Sequence, residues 1–189
     1  MNEGKLIVIS APSGCGKSTI INSILDKEIF DLEFSVSATN RAPREGEVDG
    51  VHYHFLTTEQ FRDAVEAGEF VEWEEVYPGR YYGTLRSAID NQLSQGQNII
   101  LDIDVKGALN VKKFFGDRAT TIFIEPPSID ELRRRLEKRG TDAPDVIQTR
   151  INRAAYELSL APQFDTRVIN DNLDKAIAET EGIIANICN

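Results

Sequence analysis

Short apolar runs alternate with stretches of helical periodicity along these 189 residues, and the alternation predicts strands followed by helices from end to end. Leu6-Ile7-Val8-Ile9 is continuously apolar, as a strand buried on both faces would be. Ile20, Ile21, Ile24 and Leu25 then recur at helical spacing. Phe34-Ser35-Val36-Ser37 alternates as a short strand, and residues 38–47 read as an exposed polar loop. Val51 to Leu56 predicts a strand with Val51, Tyr53 and Phe55 on one face and His52 and His54 on the other. Thr57 to Gln60 has capping-box spacing, and Gly68 can end the helix it opens. The span from Val51 to Thr84, with a turn at Pro78-Gly79, reads as a small antiparallel insertion. A helix follows through Leu85, Ala88, Ile89 and Leu93, then a buried strand over Asn98–Asp104 and another over Thr120–Ile124. Ser128 caps the next helix, Arg167-Val168-Ile169 is a last short strand, and Leu173 to Ile187 forms a C-terminal amphipathic helix. Such an order predicts a three-layer α/β fold around a parallel core sheet.

The chemistry gathers where the first strand meets the first helix. Ala11-Pro12-Ser13-Gly14-Cys15-Gly16-Lys17-Ser18-Thr19 fits a phosphate loop, except that Ala11 stands where the strict pattern has glycine, so the first turn must be built without it. Backbone N–H groups at the positive end of a helix hold an anion there without any side-chain charge. Lys17 would reach the β and γ phosphates of a nucleotide, and the Ser18 hydroxyl would ligate magnesium. Cys15 reads as a small filler of the loop. His52 and His54 lack a third partner for a metal and read as exposed.

Charge sharpens this picture. The formal net charge of -10 argues against broad nucleic-acid binding, so a polyanionic ligand must meet a local basic cluster. Two cysteines in separate contexts do not make a disulfide framework. No long apolar segment follows Met1-Asn2-Glu3, so neither a secretory signal nor a membrane association is expected, and the cytoplasm is the expected compartment. Seven basic residues between Arg133 and Arg153 invert the local charge, with Arg135 and Arg139 on one helical face and Arg150 and Arg153 on the next. A flap closing over transferring phosphates would need that arrangement. Arg41 and Arg44, in the loop after the second strand, are candidates for a second anion site, although pairing with Glu45 and Glu47 would equally suit an exposed loop. Asp102 and Asp104 end an apolar strand beside the phosphate loop, where a carboxylate can orient magnesium or its waters; a helix cap is the other reading of Asp104.

Five spaced segments together resemble the guanylate kinase family: Ser10 to Thr19; Ser35-Val36-Ser37 with Arg41-Ala42-Pro43-Arg44-Glu45-Gly46-Glu47; Tyr81-Tyr82-Gly83-Thr84; Leu101-Asp102-Ile103-Asp104 with Gly107; and Val168-Ile169-Asn170-Asp171. The resemblance spans nearly the whole chain. It implies transfer of phosphate from ATP to GMP, with magnesium as cofactor and dGMP as a further nucleotide partner. It implies one domain, with a core of residues 1–33, 85–136 and 154–189, a GMP-binding insertion over 34–84 and a helical lid over about 137–153. Residues 11–19 with Arg139 and Asn170 would hold ATP, Asn170 at the adenine. Ser37, Arg41, Arg44, Tyr53 and Tyr82 would hold the GMP phosphate, with Glu47 supporting them. Glu72, Thr84 and Asp104 would read guanine, and Asp102 would border the same site and touch magnesium through water. Lys17, Arg41, Arg44, Arg135 and Arg150 would neutralise charge during transfer. The chain departs from the family pattern at Asn40, which replaces a threonine, at Ala11, and by one extra residue between Glu72 and the tyrosine pair. Two other functions share these motifs: a guanylate-kinase-like phosphopeptide-binding module without catalysis, and a phosphate-loop kinase for another nucleotide.

Overall fold

A computed structural model describes residues 4–140 and 142–188, so Met1 to Glu3, read above for a leader, lie outside it. Strand β1 (Leu6–Ser10) is buried at every position and sits at the centre of a five-stranded parallel sheet. Its neighbours are β7 (Asn98–Asp102) on one side and β8 (Ala119–Glu125) on the other, with β2 (Leu32–Phe34) and β9 (Thr166–Ile169) at the edges, in the order β2-β7-β1-β8-β9. Successive side chains of a strand leave on opposite faces, so one apolar run feeds two cores. Ile7 and Ile9 pack in a layer with helices α1 (Lys17–Leu25), α5 (Ile129–Arg139), α6 (Pro144–Leu160) and α7 (Leu173–Cys188). Leu6 and Val8 pack with α3 (Arg86–Ser94) and α4 (Val105–Phe115). This is the three-layer architecture expected from the alternating pattern.

A second, mixed sheet stands beyond the carboxyl ends of these strands. It runs β4 (His54–Phe55), β3 (Ala38–Thr39), β6 (Arg80–Leu85), β5 (Phe70–Tyr77), with β3 and β4 parallel and the other pairs antiparallel. Helix α2 (Thr58–Glu66) closes a small core of its own, where Phe61 stacks on Phe70 at 4.6 Å between ring centroids. Asn40 pins the sheet: its amide donates to Thr58 Oγ1 and Gly79 O, and its Oδ1 accepts from Tyr81 N, at 2.9, 2.9 and 2.7 Å.

Four expectations change here. The strand read over 34–37 is divided, because Phe34 ends β2 in the core sheet while the chain crosses to the second sheet at Ala38. Ala38 and Thr39, expected in an exposed loop, are fully buried between β4 and β6. Only His54 and Phe55 of the run 51–56 are strand: the amides of Val51 and His52 both turn back to Val48 O, and Val51 is exposed. The strand read over 98–104 stops at Asp102, since Asp104 is the N-cap of α4.

The capping box is formed as read, with Thr57 Oγ1 accepting from Gln60 N and Gln60 Oε1 from Thr57 N. Thr57→Ala should therefore cost about 1 kcal/mol, read as a lower urea midpoint with an unchanged m-value; an unmoved midpoint would show that the cap contributes nothing.

Candidate functional site

A cleft of about 430 Å³ opens at the carboxyl end of the core sheet. Residues 11–19 form one wall, Ser37, Arg44, Tyr53, Glu72 and Tyr82 line the other, and Asp102 and Asp104 lie between. Ligands of open α/β sheets bind in this position because strand ends and helix starts meet there.

The phosphate loop is built by two glycines at positive φ, Gly14 at 97° and Gly16 at 84°. A Cβ on Gly16 would stand 2.6 Å from Asn170 Nδ2 and one on Gly14 2.9 Å from Leu136, so both positions are closed to larger residues. Ala11 is not among the residues at positive φ, so the loop turns without needing glycine there. Gly16 is the N-cap of α1 and no side chain caps that end, which leaves the first amides of the helix aimed at the cleft for an anion. Lys17 forms an ion pair with Asp102. Ser18 is exposed on the cleft wall, and a hydroxyl with a nearby carboxylate is the hard-oxygen chemistry magnesium prefers. Among the described residues no three acidic, histidine or cysteine side chains gather to hold a metal, so Ser18 and Asp102 fit an ion that takes its remaining oxygens from phosphates and water. Cys15 is buried and its thiol is pushed up to about 12 by that burial, in keeping with a filler.

Behind the loop the structure uses residues expected in the cleft itself. Asn170, expected at adenine, is buried and its amide donates to Cys15 O at 2.8 Å. Arg135 donates to Asn170 O and to Glu131, and lies one layer back from the cleft. Arg150 donates to Ser13 Oγ at 2.5 Å and pairs with Asp142. Arg139 lines the cleft and is exposed. Arg133 and Arg134 engage Gln148 and Glu131 on the helix surfaces.

On the opposite wall, Arg41 holds Glu47 through two bonds of 2.6 and 2.7 Å and lies 4.9 Å above the Tyr53 ring. Glu47 also accepts from Arg44 N, and these contacts hold its carboxyl down at about 2. Arg41 does not line the cleft, whereas Arg44 does. Tyr53 and Tyr82 meet edge to face at 5.9 Å. His52 is exposed and accepts from Val48 N.

Deepest in this half, Glu72 on β5 is 7% exposed. Thr84 Oγ1 donates to Glu72 Oε1 at 2.6 Å across the β5–β6 pair. Desolvation pushes the Glu72 carboxyl up to about 7, and the Thr84 hydrogen bond only partly offsets it. Asp104 caps α4 through Gly107 N at 2.7 Å, as its helix-cap reading has it, and also lines the cleft. Gly107 itself is what lets Glu72 in: a Cβ there would stand 2.4 Å from Glu72 Oε2.

Sequence reasoning passed over three lining groups, Glu74, Tyr77 and Glu157, and placed Arg153 on a basic helical face without a site role. Glu74 follows Glu72 by two on one strand, and Glu157 follows Arg153 by four on one helix, so period alone would have placed each pair together.

A glycine-cornered phosphate loop, a parallel sheet and a second wall that carries Arg44, two tyrosines and a buried carboxylate define a nucleoside monophosphate kinase of the phosphate-loop class. A family model described as guanylate kinase matches residues 3–187. A guanylate kinase of Bacteroides thetaiotaomicron is 55% identical over 98% of this chain and 91% of its own length. One from Porphyromonas gingivalis is 51% identical over 96% of each. The crystal structure of guanylate kinase from Anaplasma phagocytophilum superposes with a TM-score of 0.80 at 30% identity, covering 98% of this chain and 87% of that one. A gluconokinase from Sinorhizobium meliloti, at 17% identity and a TM-score of 0.52 over 99% and 94%, shares the fold alone. The chain belongs to the guanylate kinase family.

Because the space at Gly107 is filled by the Glu72 carboxylate, Gly107→Ala should displace that group. We expect KM for GMP to rise about tenfold with KM for ATP unmoved in steady-state rates; parallel changes in both would show a general disturbance of α4.

Proposed function

We propose that the two walls of the cleft are a triphosphate site and a guanine monophosphate site, and that this enzyme moves the γ-phosphoryl group of ATP onto GMP between them. Family membership makes the chain an ATP:GMP phosphotransferase, with ADP and GDP as products. Buried Glu72 beside Asp104 is the observation that carries the residue assignments. Guanine presents two adjacent donors, N1–H and the 2-amino group, and a carboxylate accepts both; adenine has no such pair. A site built around that match leaves buried acceptors unpaired when the wrong base enters. The Thr84 hydroxyl sets the Glu72 carboxylate from behind, and turning it toward O6 of guanine would need that bond to open. dGMP carries the same base and phosphate as GMP and is included among the substrates.

The nucleophile is an oxygen of the GMP phosphate, already anionic, so no general base is required. It forms a bond to the γ-phosphorus as the bond to the ADP oxygen breaks, and the task left to the protein is positioning two anions and balancing their charge. The amides of residues 14–18 and Lys17 hold the ATP phosphates; Arg44, Ser37, Tyr53 and Tyr82 receive the GMP phosphate. Arg41, Arg135 and Arg150 enter by exchanging Glu47, Glu131 and Asp142 for phosphate oxygens. Magnesium held through Ser18, with Asp102 reaching it through water, supplies further charge neutralisation when bound. Residues 34–84 and about 137–153 are the segments that close, excluding water from the phosphates. No helix of the described residues is long and apolar enough to cross a membrane, and the acidic surface is unsuited to nucleic acid, both of which support a cytoplasmic enzyme of free nucleotides.

A coupled assay of ADP release with ATP and magnesium should show GMP favoured over AMP by about 10⁴-fold in kcat/KM, and Glu72→Gln should lower the GMP value by about 10²-fold without weakening ATP. Equal use of AMP would refute the base pocket. Since the carboxyl of Glu72 lies near 7 in the empty site and guanine needs it ionised, GMP affinity should fall as pH drops below about 7, by up to tenfold per pH unit. Titration calorimetry on the protein and on E72Q separates this from titration of the GMP phosphate: the extra dependence should vanish in E72Q.

A further inference from the structure

The base end of the cleft is crowded with negative charge that the family reading leaves unbalanced. Glu72 and Glu74 project from β5, Asp104 from the cap of α4, and Glu157 from α6. One guanidinium, Arg153, reaches into this group. Its Nε donates to Glu157 Oε1 at 2.8 Å, its Nη2 lies 3.6 Å from Asp104 Oδ2, its Nη1 donates to Val76 O, and its plane sits 5.2 Å over the Tyr77 ring. Three elements are thus joined by a single side chain: α6, the hairpin strand β5 and the start of α4. One turn earlier on α6, Arg150 bonds Ser13 of the phosphate loop. The same helix therefore touches both substrate sites.

We propose that Arg153 is a positioning residue that couples the docking of α6 on the phosphate loop to the assembly of the guanine-facing carboxylates, which rests on the assignment of that pocket to guanine. Its guanidinium favours the ionised form of Glu157, and its planar fork holds the hairpin against α4 so that Glu72 and Asp104 face the same space. The charged and titratable groups around it are Glu72, Glu74 and Tyr77 from β5, Asp104 and Lys106 from the start of α4, Glu157 on α6, and Lys17 across the cleft. Removing the fork releases the hairpin strand from both α6 and the start of α4, so the loss must fall on GMP rather than on ATP.

The test is steady-state kinetics of the full chain, with Arg153→Gln and Arg153→Lys beside the parent, and thermal melting with ATP present. For R153Q we expect KM for GMP to rise about tenfold, with kcat falling less and KM for ATP within about twofold of the parent. R153K, which keeps the charge but lacks the fork, should lie between. Equal changes in both KM values or unaltered kinetics would each overturn the proposal. Should R153Q melt below the assay temperature, R153K decides: a severalfold rise in KM for GMP with parental melting supports coupling, and parental KM refutes it. Failure of the guanine assignment would look different, because the parent itself would then show no preference for GMP over AMP.

Discussion

Two polyanions have to be brought into contact by a protein that is itself acidic, and the structure meets that constraint by pairing its cations in advance. Lys17 rests on Asp102, Arg41 on Glu47, Arg135 on Glu131 and Arg150 on Asp142. On the function proposed above, each carboxylate gives way to a phosphate oxygen when the nucleotides bind. Partly exposed ion pairs are individually weak, so exchanging one carboxylate for a phosphate costs little. An unpaired cation held in a partly dry cleft would be much more costly, and it would also be free to turn away. Arg44 and Arg139 are left at the mouth of the cleft, where water solvates them and where they can meet an incoming anion first.

The same logic explains which parts of the site could be read along the chain. The phosphate loop was legible because its function is local: two glycines at positive φ, a lysine at the first turn of α1 and a buried strand before it all lie within a dozen residues. The core sheet was legible because β1, β7 and β8 are buried on both faces and so leave uninterrupted apolar runs. The second sheet was not, since its two-residue strands β3 and β4 carry too few positions for any period, and the serines at 35 and 37 imitate alternation while the chain crosses between sheets. Partner choice was also out of reach. That Asn170 supports Cys15 depends on a contact across 155 positions, and that Arg153 meets Val76 depends on one across 77. Resemblance could nominate Asn170 and Arg135 as functional, but only tertiary placement shows that Asn170 bonds Cys15 O and that Arg135 bonds Asn170 O behind the loop.

Glu72 shows what such a site demands of the fold. Burial raises its carboxyl toward 7, so the sign of its contribution to stability follows directly. Well below the ordinary carboxylate range both folded and unfolded chains carry the proton and the residue is neutral in its effect. As pH rises through about 7 the unfolded chain has already ionised while the folded one resists, and stability is lost across that window. A buried glutamine would avoid the loss. It could not accept two donors with equal strength, however, and so could not tell guanine from adenine as sharply. Asp104 and Glu74 add to the penalty, while Thr84 donates to the carboxylate, Gly107 gives it room, and Arg153 pairs with Asp104 and Glu157 nearby. The surrounding residues thus keep the carboxylate close to the balance point between protonated and ionised, where the donors of one particular base are enough to tip it.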